Sequence, residues 1–433
     1  MDFGATVSVR VLRAEPARTR LLSLQVSEPT CPETFLRTHQ AQIDEALHAY
    51  GGILMRGFGG RAIAPLEAYS RAVLHAPMPY CDRATPRSHV SGAVFTSTDA
   101  PEDLHIRMHC ESSFTAQWPA RILFQCLTPA TEGGATPVCD VRRVYERVPR
   151  EIRDKLERLG ISYVRHFGAG PGMDFREVFQ VEDEQGLRRF CADADIHVGE
   201  TPEGLLRLWQ TRPASARHPK TGEHVWFNHA CTLHVSLLEG GLRDTLRAQF
   251  GAGRLPHNTY AGDGSELSDE LVAHLYAAYE AETLRFTWQP GDVLLLDNML
   301  MAHGREPYSG GREVVVTMGD PLRWADVEHG ATATFSPCFL DADAPVREKR
   351  RTGGAALSEG RLLDTLLDVT RAALDVADFM ETDSFFEAGG DSVTAATIVQ
   401  ALEEAADIVM PLELIFELDT VAEWSRVLDT QQS

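Results

Sequence analysis

The sequence predicts two structural units, a β-sandwich or barrel core dressed with helices and, behind a linker, a small acidic helical bundle. Three observations predict this. Short β-rich runs recur between Gly and Pro turns, the composition changes near residue 340, and beyond it leucines recur on a helical period. At 433 residues the chain also exceeds the usual size of one compact core.

Each predicted element has a local signature. GGILMRGF (51–58), ARILFQCL (120–127), DVLLLD (292–297) and EVVVTMG (313–319) read as strands, and SDELVAHLYAAYEAET (268–283) as a helix. The strands lack the regular alternation with helices that a parallel sheet needs, which favours the sandwich or barrel. Near 340 strand-like sequence gives way to DADAPVREKRRTGGAALSEG, charged and rich in small residues, with Pro345, Gly353 and Gly354. It reads as a linker, placing boundaries at 1–340, 341–358 and 359–433. In RLLDTLLDVTRAAL, leucines at 362, 363, 366, 367 and 374 fall on a helical period. SVTAATIVQALEEA is helical too, and a last helix runs from an N-cap at Thr420 through Val421, Trp424 and Leu428.

Composition excludes several classes. Hydrophobic residues at 43% and charged residues at 24% argue against disorder. No apolar run approaches the roughly 18 residues of a membrane span, and the opening residues lack a signal-peptide pattern. The eight cysteines, at 31, 81, 110, 126, 139, 191, 231 and 338, form no CxxC pair, so reduced thiols in a cytoplasmic protein are expected. The net charge is −22, and the stretch from Ala356 to Ser433, with 17 acidic residues, three Arg and no Lys, carries −14 of it. Nucleic acid is therefore an unsuitable partner, because its phosphates require clustered cations.

The chemistry-bearing residues lie in the first unit. In IRMHCESSF, His109 and Glu111 are two apart, so on a strand both point to one face. About two H-x-[DE] triplets are expected by chance from 16 His and 63 acidic residues, so this single one is a weak signal alone. Downstream, WQPGDVLLLDNMLMAHGREPYSGGREVVVTMGD turns at Pro290-Gly291 into an apolar strand that ends at Asp297-Asn298. His303 then stands where it can close a facial His, carboxylate, His triad, which leaves three adjacent positions open on iron(II). Arg312 opens the next strand, where its guanidinium can hold a carboxylate through paired hydrogen bonds. A zinc hydrolase could use the same three ligands; it would need a general base and no carboxylate anchor. His229 and Asn228 in VWFNHA read equally as pocket or packing residues.

FTSTDAP, HCESSFTAQWPARILFQCLTPATEGGATPVCD, YVRHFGAG, VWFNHA and the distal segment above, in that order over residues 75–325, resemble the taurine dioxygenase superfamily. The likeness is to its glutamate-ligand branch, similar to clavaminate synthase and to hydroxylases of carrier-bound amino acids. The resemblance implies a double-stranded β-helix (jelly-roll) with helical insertions and Fe(II) held by His109, Glu111 and His303. It further implies 2-oxoglutarate chelated to the iron, with Thr136 of Gly133-Gly134-x-Thr136 and Arg312, or Arg305 as fallback, at its distal carboxylate. Cys110 stands between the proximal ligands where asparagine is common in that branch. Family chemistry consumes O2 and 2-oxoglutarate and yields succinate and CO2, with hydroxylation the default outcome and desaturation or epoxidation set by substrate placement. Glu111 argues against halogenation, for which the carboxylate ligand is replaced by a small residue.

In the second unit DSFFEAGGDSVTAATIV resembles the phosphopantetheine attachment site of peptidyl and acyl carriers. Gly389 and Gly390 permit a tight turn ahead of a helix start, where backbone amides favour phosphate. The resemblance implies a four-helix carrier domain with 4'-phosphopantetheine on Ser392, a phosphopantetheinyl transferase and an adenylation or other loading enzyme as partners. The expected function is oxidation, chiefly hydroxylation, of an aminoacyl or acyl thioester in nonribosomal peptide or related antibiotic biosynthesis; a free amino acid is the alternative substrate. One chain holding both units raises the local concentration of tethered substrate to about millimolar.

Overall fold

A computed structural model describes residues 2–28, 30–58, 64–78, 82, 87–167, 174–202, 204–238, 240–337 and 340 of the first unit. Of the second it describes 359–374, 376–386, 388–390, 394–395, 397–399, 401–402, 408, 410, 414–415 and 418–432. The expected linker 341–358 and Ser392 lie outside the described residues.

An eight-stranded sheet forms the frame of the first unit. Its centre is Gly52–Arg56, Val293–Asp297, Gln117–Thr128 and Glu313–Arg323, in that spatial order, paired antiparallel. These contain the four runs read as strands, and their period-two alternation decides what each face covers. One face carries Ile53, Met55, Leu123, Leu127, Val293, Leu295 and Val315, which pack with Phe35, Ile43, Leu47 and Tyr69 of the helices before and after Gly52–Arg56. The opposite face carries Leu54, Ile122, Phe124, Leu294, Leu296, Val314 and Val316.

That second face meets a four-stranded sheet ordered Thr283–Leu284, Val138–Asp140, Met301–Arg305 and Ile106–His109, whose Val138, Leu284 and Met301 join the same cluster. Two apolar sheet faces closed on one another are a jelly-roll core. The alternate residues Cys139, Ala302 and Met108 face outward into a third cluster, which the helices Val141–Arg147 and Asp269–Glu280 cover with Val144, Val272 and Leu275. Ser268 caps the latter helix by accepting from the Leu271 N–H (3.2 Å). The six cysteines among the described residues are free thiols.

In the second unit the helix Glu359–Leu374 buries Leu362, Leu366 and Leu367, as the leucine period requires. The final helix Val421–Gln432 begins with a reciprocal cap: the Glu423 N–H donates to the Thr420 hydroxyl oxygen (3.4 Å) and the Thr420 N–H to Glu423 Oε2 (3.2 Å). Val421, Trp424 and Leu428 are buried in the core of this unit with Phe379, Phe385 and Leu402.

Candidate metal and cosubstrate site

The ladder between Met301–Arg305 and the edge strand Ile106–His109 sets His303 directly opposite His109, with Val138 on His303's other side. Period-two geometry turns Met301, His303 and Arg305 inward. It likewise turns His109 and Glu111 away from Met108 and Cys110, which are buried in the outer cluster. Cys110 is thus a packing residue, its thiol pushed well up by burial, and it does not stand beside the metal ligands. The strand ends at His109, and the chain turns from Glu111 through Ser112, held in the left-handed region (φ 56°).

One donor atom each of His109, Glu111 and His303 lies within 4.8 Å of the others, and the imidazole rings of the two histidines are 4.6 Å apart, centroid to centroid. His303 Nε2 is 3.9 Å from Glu111 Oε2. The donor set of two imidazoles and a carboxylate suits a ferrous ion, and three features fit the residues to one. His109 Nδ1 donates to the Arg107 carbonyl (2.7 Å), which fixes the tautomer and leaves Nε2 as a lone-pair donor. Burial holds both imidazoles below their usual pKa, so both are neutral and able to ligate. His303 Nδ1 is buried without a hydrogen-bond partner.

Burial alone would raise the Glu111 pKa, but the charge of Arg87 and the nearby His109 outweigh it and keep the carboxyl ionised. Arg87 Nη2 donates to Glu111 Oε2 over 2.7 Å, with both side chains buried. The main chain of Glu111 is clamped as well. Its N–H donates to Asn298 Oδ1 (2.7 Å), and Asn298 Nδ2 donates to the carbonyls of Glu111 and Pro119 (both 2.9 Å).

Thr136 lies two residues before Val138, on the same inward face. Its hydroxyl oxygen accepts from Arg312 Nη2 (3.1 Å) and from Trp288 Nε1 (3.0 Å). With both lone pairs engaged, its own proton is left to donate, so hydroxyl and guanidinium together form an anion-directed pair. Arg312 Nε also donates to the Gly134 carbonyl (2.9 Å). Gly134 has φ 66°, and a Cβ there would meet Ala130 Cβ at 2.8 Å and Arg312 Cδ at 3.0 Å, so the glycine makes room for the arginine stem. Burial and neighbouring Arg305 pull the Arg312 pKa down to about 10, which leaves it cationic at neutral pH. Arg305 is engaged elsewhere: it donates to the carbonyls of Ala100 (2.8 Å), Leu104 (2.7 Å) and Pro101. That binds the 100–104 loop and makes Arg305 a poor alternative anchor.

The residues read as ambiguous now separate. Asn228 is structural, donating to the Ala214 carbonyl (2.6 Å) and accepting from the Ala230 N–H (3.0 Å). His229 lies against the site, its ring 5.6 Å from that of His109 and 4.9 Å from that of Phe114, with Nδ1 bonded to Ser113 Oγ (2.7 Å). Burial lowers its pKa to about 3, so it is a neutral ring beside the His109 imidazole. Sequence reasoning passed over Arg87, Trp288 and the clamping role of Asn298. None sits at a telling distance along the chain from the residue it serves.

Comparison with known proteins agrees with this geometry. Residues 24–318 match the family described as taurine catabolism dioxygenase TauD, TfdA family. Residues 361–428 match the phosphopantetheine attachment site family. The dapdiamide synthesis protein DdaC of Enterobacter agglomerans is 34% identical over 315 residues, 73% of this chain and 95% of the relative. A clavaminate synthase-like protein of Arabidopsis thaliana is 28% identical over 293 residues, covering 65% and 86% of the two chains. Pentalenolactone F synthase of Streptomyces arenae is 22% identical over 303 residues, covering 66% and 88%.

Proposed function

Residues 24–318 belong to the TauD, TfdA dioxygenase family, and from that premise we propose that the chain is an iron(II)- and 2-oxoglutarate-dependent oxygenase acting on a thioester-tethered aminoacyl or acyl group. The observation that carries this reading is the closure of His109, Glu111 and His303 to within 4.8 Å in a chain that also contains a phosphopantetheine attachment domain.

In this reading the two imidazoles and Glu111 hold iron(II), and Thr136 and Arg312 hold the distal carboxylate of 2-oxoglutarate. Bound there, the metal and cosubstrate supply oxidation of substrate carbon by O2, coupled to decarboxylation of 2-oxoglutarate to succinate. The chain's own contribution is placement. Arg87 and Asn298 fix Glu111 by side chain and main chain, the Arg107 carbonyl fixes the His109 ring, and Trp288 and Arg312 fix the Thr136 hydroxyl. Phe124, 5.0 Å from the His303 ring, and neutral His229, 5.6 Å from the His109 ring, pack against the two imidazoles. A zinc hydrolase would need a general base at the metal; the neighbouring imidazole, His229, has its pKa lowered to about 3 by burial, too weakly basic for that role, and its Nδ1 is engaged by Ser113, which speaks for the oxygenase.

The proposed units are 1–340, 341–358 as linker, and a four-helix carrier over 359–433 that bears its prosthetic group on Ser392. A phosphopantetheinyl transferase and a loading enzyme are the proposed partners. The 34% identical relative's role in dapdiamide synthesis supports a place in natural-product assembly. No helix among the described residues is long and apolar enough to cross a membrane.

The test is intact-protein mass spectrometry on the holo chain loaded with candidate aminoacyl groups and given iron(II), 2-oxoglutarate and O2. Hydroxylation or epoxidation adds about 16 Da to the pantetheine ejection fragment and desaturation removes about 2 Da. An unchanged fragment across the panel, with the same free amino acids oxidised, would transfer the activity to untethered substrate.

A further inference from the structure

The helix Gly240–Phe250 carries an apolar stripe that the oxygenase core does not bury. Leu242, Leu246 and Phe250 recur every fourth residue, which puts them on one helix face, and Leu238 ends the short turn Val235–Leu237 ahead of the helix. Leu246 and Phe250 are 4% and 6% exposed, yet they belong to none of the clusters that fill the jelly-roll. They share one continuous apolar cluster, with Val235 and Leu255, with Leu362 and Leu366 of the second unit. The burial of this stripe is therefore shared between the first unit's own Val235 and Leu255 and the C-terminal unit.

The cations beside the stripe are satisfied within the first unit, Arg243 by Asp244 (2.8 Å) and Arg247 by Asp269 (2.6 Å), so the shared face rests on apolar contact.

The face also leads to the metal ligands. The stripe continues into the turn Val235–Leu237, where the Leu237 carbonyl accepts from Arg107 Nε (3.3 Å). The Arg107 guanidinium lies over the Tyr276 ring, 5.1 Å from its centroid, and the Tyr276 hydroxyl accepts from the Met108 N–H (3.4 Å). The Arg107 carbonyl is the acceptor that orients His109 Nδ1. Two hydrogen bonds thus separate the stripe from a metal ligand.

We propose that the 235–255 face is the docking surface on which the oxygenase holds its own carrier unit, with Arg107 acting as a positioning residue that couples the seated carrier to the His109 ring. This rests on the oxygenase and carrier reading above. A docked carrier fixes the turn, the turn fixes Arg107, and the His109 ring is set when substrate is at hand.

The test is amide hydrogen exchange on the full-length chain, comparing wild type with Leu246→Glu and with the milder Leu242→Glu at the half-buried edge of the stripe. Both variants are expected to raise exchange in 241–250 and 362–374 together by about threefold or more, while 117–128 and 421–432 stay at the wild-type rate as folding controls. Unchanged exchange in 362–374 in both variants would overturn the proposal. So would protection in the wild type that fades on dilution, since the occupant would then be a second copy's carrier. Calorimetric binding of iron(II) and 2-oxoglutarate to the wild type is measured alongside. If binding is intact and the exchange result negative, docking alone is wrong; if binding is absent, the oxygenase reading itself fails.

Discussion

Arg87 Nη2 donates to Oε2 of Glu111 across 2.7 Å, a buried cation held against the carboxylate that lies within 4.8 Å of donor atoms of His109 and His303. Arg87→Met removes the charge that keeps Glu111 ionised against burial. The carboxyl then has to lose a proton before it can ligate. Iron(II) affinity is expected to fall about 10- to 100-fold at pH 7 and to weaken further as pH falls, a slope the wild type lacks over pH 6–8. Isothermal titration at several pH values checks this, and wild-type affinity in the variant would show that Asn298 alone fixes the ligand.

His109→Ala, Glu111→Ala and His303→Ala should each lower iron(II)-dependent succinate formation by at least about a thousandfold while leaving the carrier loadable. In the wild type, iron(II) at about 100 times its Kd should stabilise the fold by roughly 2.7 kcal/mol, an increment absent from all three variants. Succinate assays and thermal melts give the two readouts. Normal turnover in any one variant removes that residue from the metal site.

Thr136→Val and Arg312→Met each delete one half of the anion-directed pair. Charged hydrogen bonds contribute about 1.5–3 kcal/mol, so KM for 2-oxoglutarate should rise roughly 10- to 100-fold, with iron(II) affinity unaltered. Steady-state kinetics with varied 2-oxoglutarate settles the matter; an unchanged KM places the distal carboxylate elsewhere.

Glu282 is fully buried between Arg18 and Arg147, with contacts of 3.1 and 2.6 Å. Burial would raise its pKa, but hydrogen bonds from Arg147, the Arg18 N–H and the Arg18 guanidinium hold it below the usual carboxylate value. A depressed folded pKa means stability that is present above the unfolded value near 4.3 and lost as pH falls through the folded one. Glu282→Gln should cost about 3 kcal/mol at pH 7 and flatten the loss of stability below about pH 4.5. Urea unfolding between pH 3 and 7 measures both, and an unaltered acid limb would exclude Glu282 as its source.

Ser392→Ala should abolish phosphopantetheine loading and, with it, oxidation of carrier-bound substrate. Free amino acid turnover at the full wild-type rate in this variant would refute tethering, as read by product mass spectrometry.

Much of this arrangement is legible along the chain because it obeys a local period. His109 and Glu111 share a face for the same reason that Cys110 does not, and the apolar runs at 52–56, 117–128, 293–297 and 313–323 form the sheet centre where their alternation puts them. Thr420 announces a helix start through its spacing to Glu423. What the sequence conceals is tertiary. Arg87 serves Glu111 across 24 residues, Trp288 serves Thr136 across 152 and Asn298 serves Glu111 across 187, with no periodicity linking the pairs. The choice between Arg305 and Arg312 likewise needed three dimensions, since both are single arginines near one strand and only the 100–104 carbonyls show which is occupied.

The seam that sets His303 against His109 joins stretches translated far apart in time. A growing polypeptide emerging from the ribosome presents only an isolated imidazole and carboxylate until the Met301–Arg305 segment arrives and zips into place. On the proposed reading a ferrous ion would meet its third ligand only once that segment has paired, so the ladder that completes the small sheet would also complete the metal site.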